Sequence, residues 1–135
     1  MTTTFHQAGG IAFRQAVGDL SVLLISTSSG KHLTIPKGLI DPGFDAVETV
    51  HNEAWEEAGI RGDILQPPVG VYRFAKWGGE CAVTAFALRV MRSADHFPEA
   101  VFRRRQWFDY REAARCVKHA DLGQLILKLP AVIGG

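Results

Sequence analysis

The sequence has little of what would fix its class outright. It holds two cysteines in 135 residues, Cys81 and Cys116. That is too few for a disulfide framework or for a zinc site built from cysteine alone. It is compatible with one disulfide, but two reduced, buried thiols are expected. It has no excess charge: 15 Lys and Arg stand against 14 Asp and Glu, for a formal net charge of +1. A polybasic or polyacidic coat is excluded, and no nucleic-acid partner is expected. No run approaches the roughly 18 apolar residues that span a bilayer, so no membrane association is expected. The first residues lack the cationic head and apolar body of a secretory signal, so the expected compartment is the cytoplasm. There is no internal repeat, low-complexity tract or linker. What is present is ordinary for a globular protein: 47% hydrophobic and 21% charged residues. Residues 1–135 are therefore read as a single domain. A domain of this size can bury about two-thirds of its unfolded surface.

Strand signals dominate. Residues 8–15 and 20–27 read as two strands around a turn near Gly18-Asp19, with Ile11, Phe13, Val22, Leu24 and Ile25 as apolar content. Leu33-Thr34-Ile35 is a short extended piece ended by Pro36. Residues 36–44, with two prolines and two glycines, read as loop. Asp45 with Glu48 has capping-box spacing. Val47, Val50, Ala54 and Ala58 then recur on one helical face, and Gly59 is the expected terminator. Residues 69–77 and 81–91 form a second strand pair around Gly78-Gly79. Residues 92–105 are irregular and cationic, and 106–108 is a short strand. One helix is expected from Asp109 or Tyr110 to about Lys118, and a last one over 122–129, before Pro130. The fold class is α+β, a mixed sandwich with helices packed on a sheet.

Residues 38–60 carry Asp41, Asp45, Glu48, Glu53, Glu56 and Glu57 and no Lys or Arg. Glu53, Glu56 and Glu57 fall at i, i+3 and i+4, which places three carboxylates on one helix face. Like charges at this spacing repel by roughly 0.2–0.5 kcal/mol per pair. A hard divalent cation turns that repulsion into attraction, because Mg²⁺ and Mn²⁺ prefer oxygen ligands. A plain solvated acidic face would show the same composition; the residues around the glutamates decide between the two.

Their order resembles the signature of Nudix hydrolases: Gly, five residues, Glu, seven residues, Arg-Glu, an aliphatic, any residue, Glu-Glu, any residue, Gly, an aliphatic. Gly38, Glu53, Ala54, Glu56, Glu57, Gly59 and Ile60 occupy their places at the right spacing. Pro36-Lys37 before the box, Ala8–Arg14 at the first strand and Trp107-Phe108 before a helix are also similar to family members. Two places depart: Phe44 stands for the first Glu and Asn52 for the Arg that orients the catalytic glutamates in the family. The two losses are of opposite charge and would offset each other, and Asp45 would stand in part for the missing carboxylate.

The resemblance implies a mixed sheet flanked by helices, with a loop–helix–loop site that cleaves a diphosphate linkage in a nucleoside diphosphate derivative. Glu53, Glu56 and Glu57 would be catalytic and, with the Gly38 carbonyl, would hold Mg²⁺ or Mn²⁺. The ion would neutralise phosphate oxygens and acidify a water. A glutamate of the box, or Glu99 or Glu80 from a loop, would take the proton. The Pro-Lys-Gly segment is similar to members acting on dinucleoside or diphosphoinositol polyphosphates; a nucleoside triphosphate pyrophosphatase is the sibling reading. Phe44 and Asn52 leave room for a non-catalytic nucleotide-sensing module, and an interaction domain indifferent to divalent ions is a third class.

Phosphate-rich substrates need cations. Lys37 is the first candidate, with Arg14, Arg73 and Lys76 beside it, although strand alternation turns Arg73 and Lys76 to opposite faces. Arg103-Arg104-Arg105 cannot all face one site and reads as a solvated loop or as a partial phosphate grip. Tyr72, Phe74 and Trp77 are candidates for stacking on a base, Tyr72 first. The five histidines lack metal-ligand spacing and receive no role. A monomer or a homodimer is compatible with the sequence.

Overall fold

The computed structural model describes residues 1–134. Eight strands form one mixed sheet: β1 (Thr4–Ala16), β2 (Asp19–Ser26), β3 (Leu33–Thr34), β4 (Lys37–Leu39), β5 (Ile60–Ile64), β6 (Gly70–Lys76), β7 (Gly79–Ser93) and β8 (Arg105–Asp109). The helices are α1 (Ala46–Ala58), α2 (Tyr110–Cys116), α3 (Ala120–Ile126) and α4 (Leu129–Gly134). The expected α+β class and the helix-flanked mixed sheet are both observed.

The two longest strands, β1 and β7, lie parallel from Thr4↔Glu80 to Phe13↔Arg89 and form the spine. Each divides its other edge between two shorter strands. β1 pairs with β4 near its start and with β2 at its end. β7 pairs with β6 near its start and with β5 at its end. β4 leads straight from the sheet into the loop before α1.

Side-chain alternation along β1 divides the core. Ile11 and Phe13 face a cluster with Tyr72, Leu122, Ile126 and Leu129, under α2–α4. Ala8 and Ala12 face the opposite side, where Val50, Ala54 and Ala58 of α1 pack on Leu23, Ile25, Phe86 and Leu88. Small residues on β1 let α1 lie close to the sheet; a Cβ on Gly10 would stand 3.1 Å from Val50 Cγ1. Cys81 is buried and Cys116 half-buried, and both are free thiols.

Helix α1 starts and stops where its sequence says. The Asp45 carboxylate accepts from the Glu48 amide at 2.8 Å, and Glu48 Oε1 accepts from the Asp45 amide at 3.0 Å. Asp45 is thus committed to the cap and is no substitute for the carboxylate missing at Phe44. Gly59 closes the helix at φ 65°, a left-handed conformation that only glycine adopts without strain. Some details differ from expectation: β5 follows α1 directly, and the last helix expected over 122–129 divides into α3 and α4. Within the 36–44 loop, Lys37–Leu39 zips onto β1 as β4. Pro130 does not end a helix but lies in the first turn of α4, where its missing N–H costs no hydrogen bond. Among the described residues no helix is long and apolar enough to cross a membrane.

Gly59→Ala forces a left-handed conformation on a residue with a Cβ and drives that atom into the Phe97 ring. It should lower the unfolding free energy by about 1–3 kcal/mol in urea denaturation.

Candidate active site

The site forms where β4, the end of α1 and the loop 94–104 meet. Glu53, Glu56 and Glu57 lie along the last turns of α1, as the spacing predicts. Gly38, on β4, faces them so closely that an added Cβ would collide with the Glu53 carboxyl group. Any larger residue there would have to displace the Glu53 carboxyl group from its place.

Glu57 is the most constrained of the three. Its Oε1 accepts from the Lys37 amide at 3.0 Å, and its Oε2 accepts from Arg103 Nη2 at 3.0 Å. Glu53 is half-buried and Glu56 exposed. The loop 94–104 is stitched to the same helix end: the Ala94 amide donates to the Gly59 carbonyl at 2.8 Å, and the Glu99 amide to the Glu56 carbonyl at 3.0 Å. This brings Glu99 to the edge of the acidic face. Glu80, the other loop candidate, is instead paired with Arg73 at 3.0 Å on the exposed β6–β7 hairpin.

The arginine run is neither a solvated loop nor one cationic patch. Arg103, with its side chain 9% exposed, turns inward to Glu57 and Glu99. Arg104 donates to the Gly30 carbonyl and Arg105 to the Ala58 carbonyl, each at 2.8 Å. Between them the three neighbours tie the loop to α1, to the end of β2 and to the turn at Gly30.

A pocket of about 550 Å³ opens beside Glu57. Lys37, Lys76, Lys118 and Arg103 give it four cations against one carboxylate. Phe74 and His119 form an aromatic wall, with ring centroids 4.4 Å apart and planes 13° from parallel. Burial, then Lys118, holds the His119 imidazole below the usual histidine range. Burial, then Lys76, likewise lowers the Lys37 ammonium. Gln7 Oε1 and Thr34 Oγ1, both from pocket-lining residues, and the Tyr72 hydroxyl are buried with no hydrogen-bond partner among the described residues. Such groups are costly to leave unpaired.

Of the cations expected at the substrate, Lys37 lines this pocket and two others do not. Arg14 is exposed and its guanidinium covers the Trp107 ring at 4.1 Å. Arg73 faces away with Glu80, as alternation on β6 requires. Tyr72 is 1% exposed and packs in the core beneath Phe74, which leaves no free ring face for a base. Trp77 lies at the hairpin turn against Phe5. Lys118, His119 and the inward role of Arg103 were not legible in the sequence. Their partners lie far along the chain, and only the packing of α2–α3 beside β6 brings 118–119 to Phe74.

The Nudix domain family matches residues 4–128. The chain belongs to the Nudix family. Nudix hydrolase 13, mitochondrial, of Arabidopsis thaliana is 32% identical over 110 residues, covering 74% of this chain and 54% of that protein. The asymmetrical bis(5'-nucleosyl)-tetraphosphatase of Caenorhabditis elegans is 26% identical over 132 residues, covering 95% of this chain and 96% of that protein. The chain spans about half the length of that plant protein and of Nudix hydrolase 12, mitochondrial, from the same plant. The crystal structure of C. elegans Ap4A hydrolase superposes with a TM-score of 0.80 at 23% identity, over 97% of this chain and 99% of the other. At that identity the likeness is one of fold.

Nudix hydrolases generally use divalent metals, and the donors here fit a hard ion. Burial, then Glu57, Glu56, Glu99 and Asp41 in turn, pushes the Glu53 carboxyl up to about 8. Burial raises Glu57 too, opposed by the Lys37 amide and Arg103. Such crowding of carboxylates is what a divalent cation relieves. Among the described residues no three His, Cys, Asp or Glu side chains already converge as a ligand cluster; Glu57 is drawn toward Arg103 and the Lys37 amide. Both departures from the Nudix box, Phe44 and Asn52, are exposed.

The raised Glu53 value has a definite consequence for the metal-free protein. The folded state holds this proton more tightly than the unfolded chain, so the contribution is fully present below about pH 4.5 and is lost as pH rises through about 8. Glu53→Gln removes the titration. The melting temperature of the wild type should therefore fall relative to that of Glu53→Gln between pH 5 and 8, followed by circular dichroism in EDTA. A constant difference would refute the buried, crowded carboxyl.

Proposed function

We propose that this protein is a divalent-cation-dependent pyrophosphohydrolase of a phosphate-rich nucleotide derivative, with dinucleoside polyphosphates as the leading substrate class. The observation that carries the reading is the adjacency of two unlike surfaces. The acidic face of α1 meets a pocket lined by three lysines, Lys37, Lys76 and Lys118, and by an aromatic wall. A polyphosphate requires both, metal-binding carboxylates at the scissile linkage and fixed cations along the remaining phosphates. The bis(5'-nucleosyl)-tetraphosphatase among the relatives supports the same class.

Glu53, Glu56 and Glu57, with the Gly38 carbonyl, would hold Mg²⁺ or Mn²⁺, with Glu99, which shares Arg103 with Glu57, beside them. When bound, such an ion supplies charge neutralisation at phosphate oxygens and acidifies water. Lys37, Lys76 and Lys118 bind the phosphates away from the cleaved bond. Phe74 and His119 present an aromatic face to a base, since π-faces stack with any nucleobase. The buried oxygens of Gln7 and Thr34 find partners in substrate or ordered water. A carboxylate of the acidic face, Glu99 or one from α1, accepts the proton of the attacking water.

The test is turnover of a panel of dinucleoside polyphosphates, nucleotide sugars, diphosphoinositol polyphosphates and nucleoside triphosphates with Mg²⁺, read by chromatography of products. Dinucleoside polyphosphate should be cleaved, EDTA should abolish cleavage, and Glu57→Gln should lower kcat by roughly 10²–10⁴-fold. Tight binding without product would replace this reading by the nucleotide-sensing module that Phe44 and Asn52 suggest.

A further inference from the structure

The box lacks its arginine. Asn52 takes that place, at an exposed position on α1. Yet the glutamates of this face are not without a cation, because Arg103 reaches them from the far side of the chain. Its Nη2 donates to Glu57 Oε2 at 3.0 Å, its Nε to Glu99 Oε1 at 2.8 Å and its Nη1 to the Ser26 carbonyl at 2.7 Å. All three guanidinium nitrogens are engaged, on three different elements: α1, the loop 94–104 and the end of β2. Only 9% of the side chain is exposed, and the Glu57 side chain is 13% exposed.

We infer that Arg103 is the positioning residue that replaces the missing box arginine, holding Glu57 and Glu99 in fixed relation across the metal-binding face. This rests on the hydrolase reading above and adds to it a residue outside the box. A rigid, planar fork with donors in fixed directions orients two carboxylates at once, which a lysine cannot do. Without it, Glu57 keeps only the Lys37 amide, and Glu99 is held at the helix only through its own amide on the Glu56 carbonyl. The anchor is itself buried: the Ser26 hydroxyl accepts from the Arg104 amide, and the Ser26 amide donates to the Arg104 carbonyl, both at 3.0 Å. The backbone beside Arg103 is therefore fixed before its side chain reaches the glutamates. A contact that orients a ligand residue without touching the reacting atoms affects metal affinity or activity by roughly 10–100-fold when lost.

The test compares Arg103→Ala and Arg103→Lys with wild type, each checked by thermal melting. Arg103→Ala should lose roughly 10–100-fold in kcat, with KM changed by less than about threefold, the pattern of lost positioning rather than lost binding. Guanidinium ion, far below denaturing concentration, should restore part of the Arg103→Ala rate and leave wild type unchanged. A second readout needs no turnover. In metal-free protein, hydrogen exchange at the Glu99 amide should accelerate in Arg103→Ala and slow again with guanidinium. Arg103→Lys serves if the alanine variant does not fold; it should keep the charge but show the same kcat loss. A raised KM at unchanged kcat would overturn the inference and make Arg103 a phosphate contact. Unaltered Glu99 exchange would overturn it as well. A wild type inactive on every substrate, with exchange responding as expected, would fault the hydrolase reading and not the positioning.

Discussion

The Glu57 carboxylate accepts one hydrogen bond from the Lys37 amide and another from the Arg103 guanidinium, each at 3.0 Å. Through these two contacts a helix, a short strand and a loop distant in sequence are brought to one point. A carboxylate this deeply placed is costly unless it is paired and hydrogen-bonded. The same need that keeps Glu57 satisfied also fixes the shape of the site. β4 must present a backbone N–H toward α1, and loop 94–104 must bring an arginine inward. Glu53 is then left crowded among Glu57, Glu56, Glu99 and Asp41. Order around one acid and strain around the next are two sides of a single arrangement.

The net charge of +1 conceals how unevenly the charge is spread. Residues 38–60 carry six acids and no Lys or Arg, so the rest of the chain is strongly cationic. The structure divides those acids by task. Asp45 and Glu48 cap α1 and help to hold the helix. Glu53, Glu56 and Glu57 form the acidic face, with Asp41 near it. The cations are divided too: Arg103, Arg104 and Arg105 hold the loop, whereas Lys37, Lys76 and Lys118 line the pocket. A composition that looks balanced is thus spatially polarised, with an acidic face set beside a cationic one.

What could be read from the sequence was local. The limits of α1 followed from Asp45, Glu48 and Gly59, because caps act within one turn. The glutamate face followed from helical spacing, and the opposite facing of Arg73 and Lys76 from strand alternation. Residues whose role depends on a distant partner were not legible. Arg14 resembles a substrate cation until the fold lays it on Trp107. Tyr72 resembles a stacking platform until β6 turns it into the core. His119, with no recognisable spacing, becomes half of an aromatic wall because Phe74 lies beside it. Arg103 sat in a run that looked like surface, and only its contact with Glu57 sets it apart from Arg104 and Arg105.

The central claim is that the fold gathers carboxylates at one end of α1 and that a divalent ion relieves their repulsion. Its most direct test is the melting temperature of metal-free wild type and of the Glu53→Gln, Glu56→Gln double variant across a titration of Mg²⁺ and of Mn²⁺. Linkage predicts a progressive rise in the wild type, equivalent to about 2.7 kcal/mol when the ion reaches a hundred times its Kd, and little or no rise in the double variant. A wild-type melting temperature indifferent to either ion, or an equal rise in both proteins, would contradict it.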